Sequence, residues 1–407
     1  MLRRWSLLAG ALLVFVATGA AAQTPKTEDA RSEDTRVQYP AFLANSYFSI
    51  NVGSIGYLFS GQQLQPGFNL GTIESPRLAA RIDLFGHRFT KFLSAQATYM
   101  RPVKYVTYRN LNGGTEGGQV SMAYGGITLV GDVPLGPRVS AYVEGGGGVT
   151  SRSGFVVKSV PAVQSAHYLA GLLGAGLVYH ANPNVDVVFG ATYSPGREAF
   201  NQPSTRLFTT GFRYWMRPLP ESVVAEKRRT GYVFPANIIR LGYTSNVAEY
   251  GVNNFLSGTV PVFWGGNVET RQGVTLDYQR NVFHTKKRFA FDLGASASYW
   301  QSNKKEEAFR TVSIYPLFRF FLIRSEPGDI YFSYSLAGPT YINPIVVDGR
   351  DTGEHFTFQD FIGLGTYLGK GRHLNAEVGI KHYSNGNIFT TNASVKVPLT
   401  FTLGFAF

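Results

Sequence analysis

The last nine residues, LTFTLGFAF, put Leu399, Phe401, Leu403, Phe405 and Phe407 at alternate positions, with Thr400, Thr402, Gly404 and Ala406 between them. Successive side chains on a strand point to opposite faces, so this pattern makes one large apolar face and one small one. Segments of about 10–15 residues with the same alternation run back almost to Ala41, and none carries a convincing helical stripe. Turn signals divide them: VPLGPR (Val133 to Arg138), HANPN (His180 to Asn184), SEPGD (Ser325 to Asp329) and GKGR (Gly369 to Arg372). A sheet that is apolar on one face along this much chain must close, and a large-out, small-in pattern suits a narrow barrel whose outside meets lipid.

Composition agrees. Charged residues are 16% of the chain, against about 25% in an average globular protein, and aromatics reach 14%. A mean hydropathy of -0.05 excludes a bundle of transmembrane helices. The 46 glycines and 31 phenylalanines exclude a disordered chain, which lacks apolar residues to bury. The absence of cysteine excludes a disulfide scaffold, a thiolate metal site and a cysteine nucleophile.

The turns alternate in length. Short ones fall near residues 86–91, 135–138, 180–184, 284–288, 325–329 and 369–372, and longer polar loops lie between them. Short periplasmic turns alternating with longer outer loops are the habit of outer-membrane barrels. The strands divide into about eight before Met216 and about eight after Gly231. RPLPESVVAEKRRT (residues 217–230) separates them and is long for a periplasmic turn. The fold class expected is all-β, with two tandem eight-stranded antiparallel transmembrane barrels over residues 41–216 and 231–407; one barrel of about sixteen strands is the alternative.

Arg3 and Arg4, an apolar run from Leu7 to Ala17 and Ala20-Ala21-Ala22 read as a signal peptide over residues 1–22. A polar, mixed-charge stretch over residues 23–40 reads as a disordered lead-in. Cleavage would lower the formal charge from +12 to about +10, and anionic lipid headgroups, not nucleic acid, are the expected counter-charge. The terminal Phe407, after alternating aromatics, looks like the signal read by barrel-assembly machinery, which places the chain in a bacterial outer membrane. Nothing in the sequence sets an oligomeric state.

One constellation interrupts an apolar face. In HLNAEVGIKHYSN, Leu374, Ala376, Val378, Ile380, His382 and Ser384 share the lipid side of a strand, while Glu377 faces the lumen. Polar groups on a lipid face cost free energy unless paired. A serine with a histidine at i−2, near the outer leaflet's ester bonds, has the makings of a nucleophile and its base. On the preceding strand, Asp360 interrupts another apolar row. If a three-residue turn at residues 370–372 joins the two strands, residues whose numbers sum to 742 face one another, and Asp360 lies beside His382. A slip of one residue would send it to the wrong face.

HYSNGNIFTTN (His382 to Asn392), preceded by the GLG segment at Gly363 and followed by the terminal Phe407, resembles the lipid A 3-O-deacylase family of outer-membrane barrels, the PagL type. The resemblance covers residues 231–407; the front half is similar to small OmpA-type barrels. It implies a metal-free serine esterase without cofactor that removes an ester-linked acyl chain from the lipid A of lipopolysaccharide. Ser384 would be the nucleophile and His382 the general base, while Asn385 and Asn392 would help hold the oxyanion. The family's orienting Glu falls where this chain has Lys396, and no Asp or Glu follows Glu377. Either Asp360 orients the imidazole, or the site is a weakened dyad, or the barrel is an inactive structural protein or narrow pore.

Overall fold

Eight strands between Ser46 and Met216, and eight more between Asn237 and Ala406, close into two separate antiparallel barrels in the computed structural model. It describes residues 34–229, 231–259 and 265–407; the expected signal peptide and the lead-in up to residue 33 lie outside these. The first barrel comprises β1 (Ser46–Tyr57), β2 (Leu78–Arg88), β3 (Leu93–Pro102), β4 (Gly118–Pro134), β5 (Val139–Ser153), β6 (Ala166–Asn182), β7 (Val185–Ser194) and β8 (Thr205–Met216). It closes where β8 returns along β1, from Ser46 opposite Met216 to Tyr57 opposite Thr205. The second comprises β9 (Asn237–Ser245), β10 (Val268–His284), β11 (Phe289–Ser302), β12 (Ala308–Arg324), β13 (Gly328–Asn343), β14 (Phe356–Leu368), β15 (Leu374–Ser384) and β16 (Val395–Ala406). Here β16 pairs with β9, and Phe407 and Asn237 exchange backbone hydrogen bonds at the seam. Two closures, each returning to its own first strand, settle the choice between tandem barrels and one large one.

The alternation sorts the side chains as the sequence predicts. Thr400 and Thr402 are buried, while Phe401, Leu403 and Phe405 stand outward, Leu403 71% exposed. Both lumens hold paired charges. In the first, the Arg81 guanidinium donates to Glu144 at 2.5 and 2.8 Å and to Asp83 at 3.1 Å, and Gln96 and Thr128 also donate to Glu144. In the second, Arg240 pairs with Glu377 at 2.8 Å, Lys381 with Asp277 at 3.3 Å, and Arg319 with Asp292. A buried charge is tolerated only with such partners.

Two helices lie in segments where the sequence predicts none: α1 (Glu221–Arg228) between the barrels and α2 (Gly251–Thr259) after β9. Each is short, and α1 buries a single residue, Val224, so no stripe could register. Among the described residues, no helix is long and apolar enough to cross a membrane.

Residues 36–39, read from the sequence as the end of a disordered lead-in, are instead pinned at the short-turn end. Val37 is fully buried. Gln38 exchanges side-chain hydrogen bonds with the backbone of Leu219 at 2.9 and 3.0 Å. Tyr39 shares a hydroxyl hydrogen bond with Tyr214 of β8 and stacks on Phe283 of β10, with ring centroids 4.3 Å apart. Arg36 donates to the carbonyl of Phe234 at 3.0 Å. This short segment therefore touches both barrels.

Candidate active site

Residues 369–373 join β14 to β15, and the two strands pair in the register expected of a three-residue turn: Phe358 faces Ser384 and Asp360 faces His382. The pair bonds through His382 Nδ1 and Asp360 Oδ2, 3.3 Å apart. A carboxylate can only accept here, so Nδ1 is the donor of this pair. Asp360 is itself held from behind. Between Ser335 and Gly338, strand β13 loses its register with β14, and Ala337 in that bulge adopts φ +54°. Its N–H donates to Asp360 Oδ1 at 2.8 Å. Bulges turn backbone groups toward functional sites, and a positive φ at alanine is strain the surroundings must hold. Sequence alternation carries no trace of this donor.

Ser384 ends β15, half-buried. Its Oγ accepts from Asn392 Nδ2 at 3.0 Å and from the N–H of Gly386 at 3.2 Å. Gly386 sits at φ +65°, a backbone conformation that suits glycine and that turns its N–H back toward the serine. Asn392 Nδ2 and this N–H thus both donate to the serine oxygen. Asn385 bonds the backbone of two loops. Its side-chain amide donates to the carbonyls of Thr352 and Thr391 at 2.9 and 2.7 Å, and its Oδ1 accepts from Asn387 N–H at 2.9 Å. Fully buried and committed to backbone, it braces two loops against each other. Those loops meet at Gly353, φ +110°, where a Cβ would come within 2.4 Å of Asn385 Nδ2.

The outward row of β15 does not all meet lipid. Ile380 and His382 occupy outward positions, yet each is 1% exposed. The loop following Ser384 folds over this end of the strand and rests on the first barrel, where the Tyr99 hydroxyl donates to the carbonyl of Gly386 at 2.5 Å. Alternation distinguishes inside from outside, but a face covered by protein and a face covered by lipid read alike. Of the proposed triad, Ser384 and Asp360 keep partial exposure while the imidazole is sealed.

Lys396 is the register partner of His382 on its other side, across β16. Its Nζ bonds Glu269 Oε1 at 3.0 Å and Asn254 Oδ1 at 3.2 Å, and lies 5.0 Å from the Tyr250 ring centroid. Glu269 therefore balances the cation on the flank of the imidazole. Glu377, as its lumenal position predicts, pairs with Arg240, away from the site. The remaining histidines take local partners: His87 bonds Ser46, His167 contacts Ser151, His180 bonds Asp186 and Ser140, His284 stacks on Phe234, His355 bonds the carbonyl of Ile342 and His373 that of Ala406.

No curated protein matches. Among solved structures, the outer membrane enzyme PagL is 15% identical with a TM-score of 0.29, covering 42% of this chain and 98% of its own. Neisserial surface protein A is 14% identical at 0.29, covering 42% and 97%. The N-terminal barrel of Pseudomonas aeruginosa OprF is 14% identical at 0.26, covering 42% and 98%. Closed antiparallel barrels with apolar exteriors make this a bacterial outer-membrane protein. Residues 268–398, from the start of β10 into β16 and including Asp360, His382, Ser384 and Asn392, match the model of the lipid A 3-O-deacylase (PagL) family.

Proposed function

We propose that the second barrel is a serine esterase that removes the 3-O-linked acyl chain from lipid A of lipopolysaccharide. The supporting observation is the pairing of Asp360 with His382, one alternate position from Ser384, inside the stretch that matches the deacylase family. In the reaction, Ser384 Oγ attacks the ester carbonyl while His382 Nε2 takes its proton. Asp360 keeps the proton on Nδ1 and balances the imidazolium. The tetrahedral oxyanion is met by Asn392 Nδ2 and the Gly386 N–H. The C–O bond to the sugar then breaks, the departing oxygen takes the proton from His382, and water hydrolyses the acyl-serine by the same path in reverse. The reaction uses no cofactor.

The test is mass spectrometry of lipid A from cells producing the wild type or Ser384→Ala. Loss of one hydroxyacyl mass with the wild type alone supports the esterase. Unchanged lipid A with both proteins folded in the membrane would reject it. The second reading, an inactive structural barrel, draws on Lys396 at the family's acid position. It expects lipid A and growth to be indifferent to His382 and Ser384. A pore is disfavoured by the paired charges that each lumen holds.

A further inference from the structure

We infer that the first barrel is a positioning platform for the loop bearing the oxyanion donors of the second; this rests on the esterase reading above. Near the long-loop end of β3, β4 and β5, the outward row carries small and hydroxylated residues where a lipid-facing barrel would carry large apolar ones. Hydroxyls turned toward hydrocarbon are costly unless bonded. Three of them find partners on the loop between Ser384 and Asn392, and on every second carbonyl. Tyr99 donates to Gly386, Ser151 to Ile388 and Ser153 to Thr390, each at 2.5 Å. Gly125 lies across the ladder from Tyr99, and a Cβ there would come within 3.3 Å of the Ile388 side chain. The His167 ring lies against Phe389, with centroids 5.8 Å apart.

A fourth contact leads to the nucleophile. Asn387 Nδ2 donates to the Tyr105 hydroxyl at 3.2 Å, Asn387 Oδ1 accepts from Asn392 Nδ2 at 2.8 Å, and the same Nδ2 donates to Ser384 Oγ at 3.0 Å. The amide of Asn392 is thus aimed by a residue that is itself hydrogen-bonded to the other barrel. Turn residues at positive φ, Gly386 and Asn387, give this loop a shape that its own barrel does not impose through ladder pairing. A loop held this way supplies donors already in place, and small displacements of such groups cost about a hundredfold in rate.

The experiment uses the full chain in lipid nanodiscs with purified lipopolysaccharide as substrate. It compares wild type, Ser151→Ala/Ser153→Ala, Ser151→Thr/Ser153→Thr and Gly125→Leu. Folding is checked by heat-modifiable gel migration, and two readouts follow: amide hydrogen exchange over residues 385–392, and steady-state deacylation. The platform predicts faster exchange in the alanine and leucine variants, a kcat reduced at least about tenfold with KM changed less than about threefold, and recovery of both in the threonine variant, which keeps the hydroxyls. Unchanged exchange in the alanine and leucine variants overturns the platform whatever the activity. Faster exchange with unchanged kcat overturns the positioning role. If the wild type itself does not deacylate while its loop exchange still responds to the variants, the esterase reading fails and the seating of the loop stands.

Discussion

Asp360 is gripped on both sides: one carboxylate oxygen takes the N–H of Ala337 in a strand bulge and the other faces His382 Nδ1 across a ladder position. This fixes a carboxylate and an imidazole in mutual orientation on the outside of a barrel, where neither would rest without a partner. Asp360→Asn keeps the shape but lets the amide donate toward Nδ1, which favours the wrong tautomer. Deacylation is expected to fall by about 10²–10⁴-fold, following the behaviour of triad acids. Heat-modifiable migration should stay close to wild type. Full activity in Asp360→Asn would remove Asp360 from the mechanism.

The neighbouring charges offer a gain-of-function test. Reversing the Lys396–Glu269 pair, as Lys396→Glu with Glu269→Lys, preserves the ion pair and sets a carboxylate opposite His382 on its other flank. In an Asp360→Asn background this reversal is expected to restore about tenfold of the lost activity, about 1.4 kcal/mol of transition-state stabilisation. Lys396→Glu alone would set two carboxylates together and should give a less stable barrel. No recovery in the triple variant, with the barrel folded, would mean that the position beside His382 cannot serve an acid in this frame.

Ala337 predicts a change in stability rather than in chemistry. A non-glycine residue at φ +54° carries about 1–2 kcal/mol of local strain. Ala337→Gly should relieve it without moving the N–H that holds Asp360. The expected result is a higher urea midpoint for the folded barrel, by up to about 1 kcal/mol, with deacylation within a factor of about three. A lower midpoint would show that the bulge depends on the methyl group.

Inside the second lumen, Glu377→Ala would leave Arg240 buried beside an empty acceptor position. A loss of about 3–5 kcal/mol is expected, the cost of breaking a buried pair by removing one partner. The same packing predicts that the wild-type protein gives no steady conductance in planar bilayers. A stable open channel would show that these ion pairs rearrange in the membrane.

Much of this was legible in residue order because a barrel repeats one simple rule. The turn expected at residues 370–372 implies the ladder sum, and with it the meeting of Asp360 and His382. Leu399 to Phe407 announced a closing strand through alternation alone. What escaped was whatever lay off that period. The Ala337 bulge is a break in register; the Gly338-Pro339 pair in SLAGP is compatible with one, but nothing in the alternation says which N–H the bulge turns outward. The lumenal ion pairs join residues whose charges were visible but whose partners depend on how the strands stagger. Ile380 and His382 gave no sign that protein instead of lipid would cover them, because both coverings ask only for an outward side chain. The bonds of Asn385 were hidden for a related reason: an asparagine beside a serine can aim outward or at its own loops, and the residue type is the same in either case.

The pinned segment at residues 36–39 carries a consequence for assembly. Among the first described residues of the chain, it bonds Tyr214 at the end of the first barrel and stacks on Phe283 in the second. Its seat is therefore incomplete until synthesis has passed both. The first barrel can close as soon as Met216 is laid against Ser46, but this latch can be set only once the other barrel has begun to form. The chain thus holds back one early piece as a fastening between its two halves, and barrel insertion in the order of synthesis would leave that fastening open until the second barrel arrives.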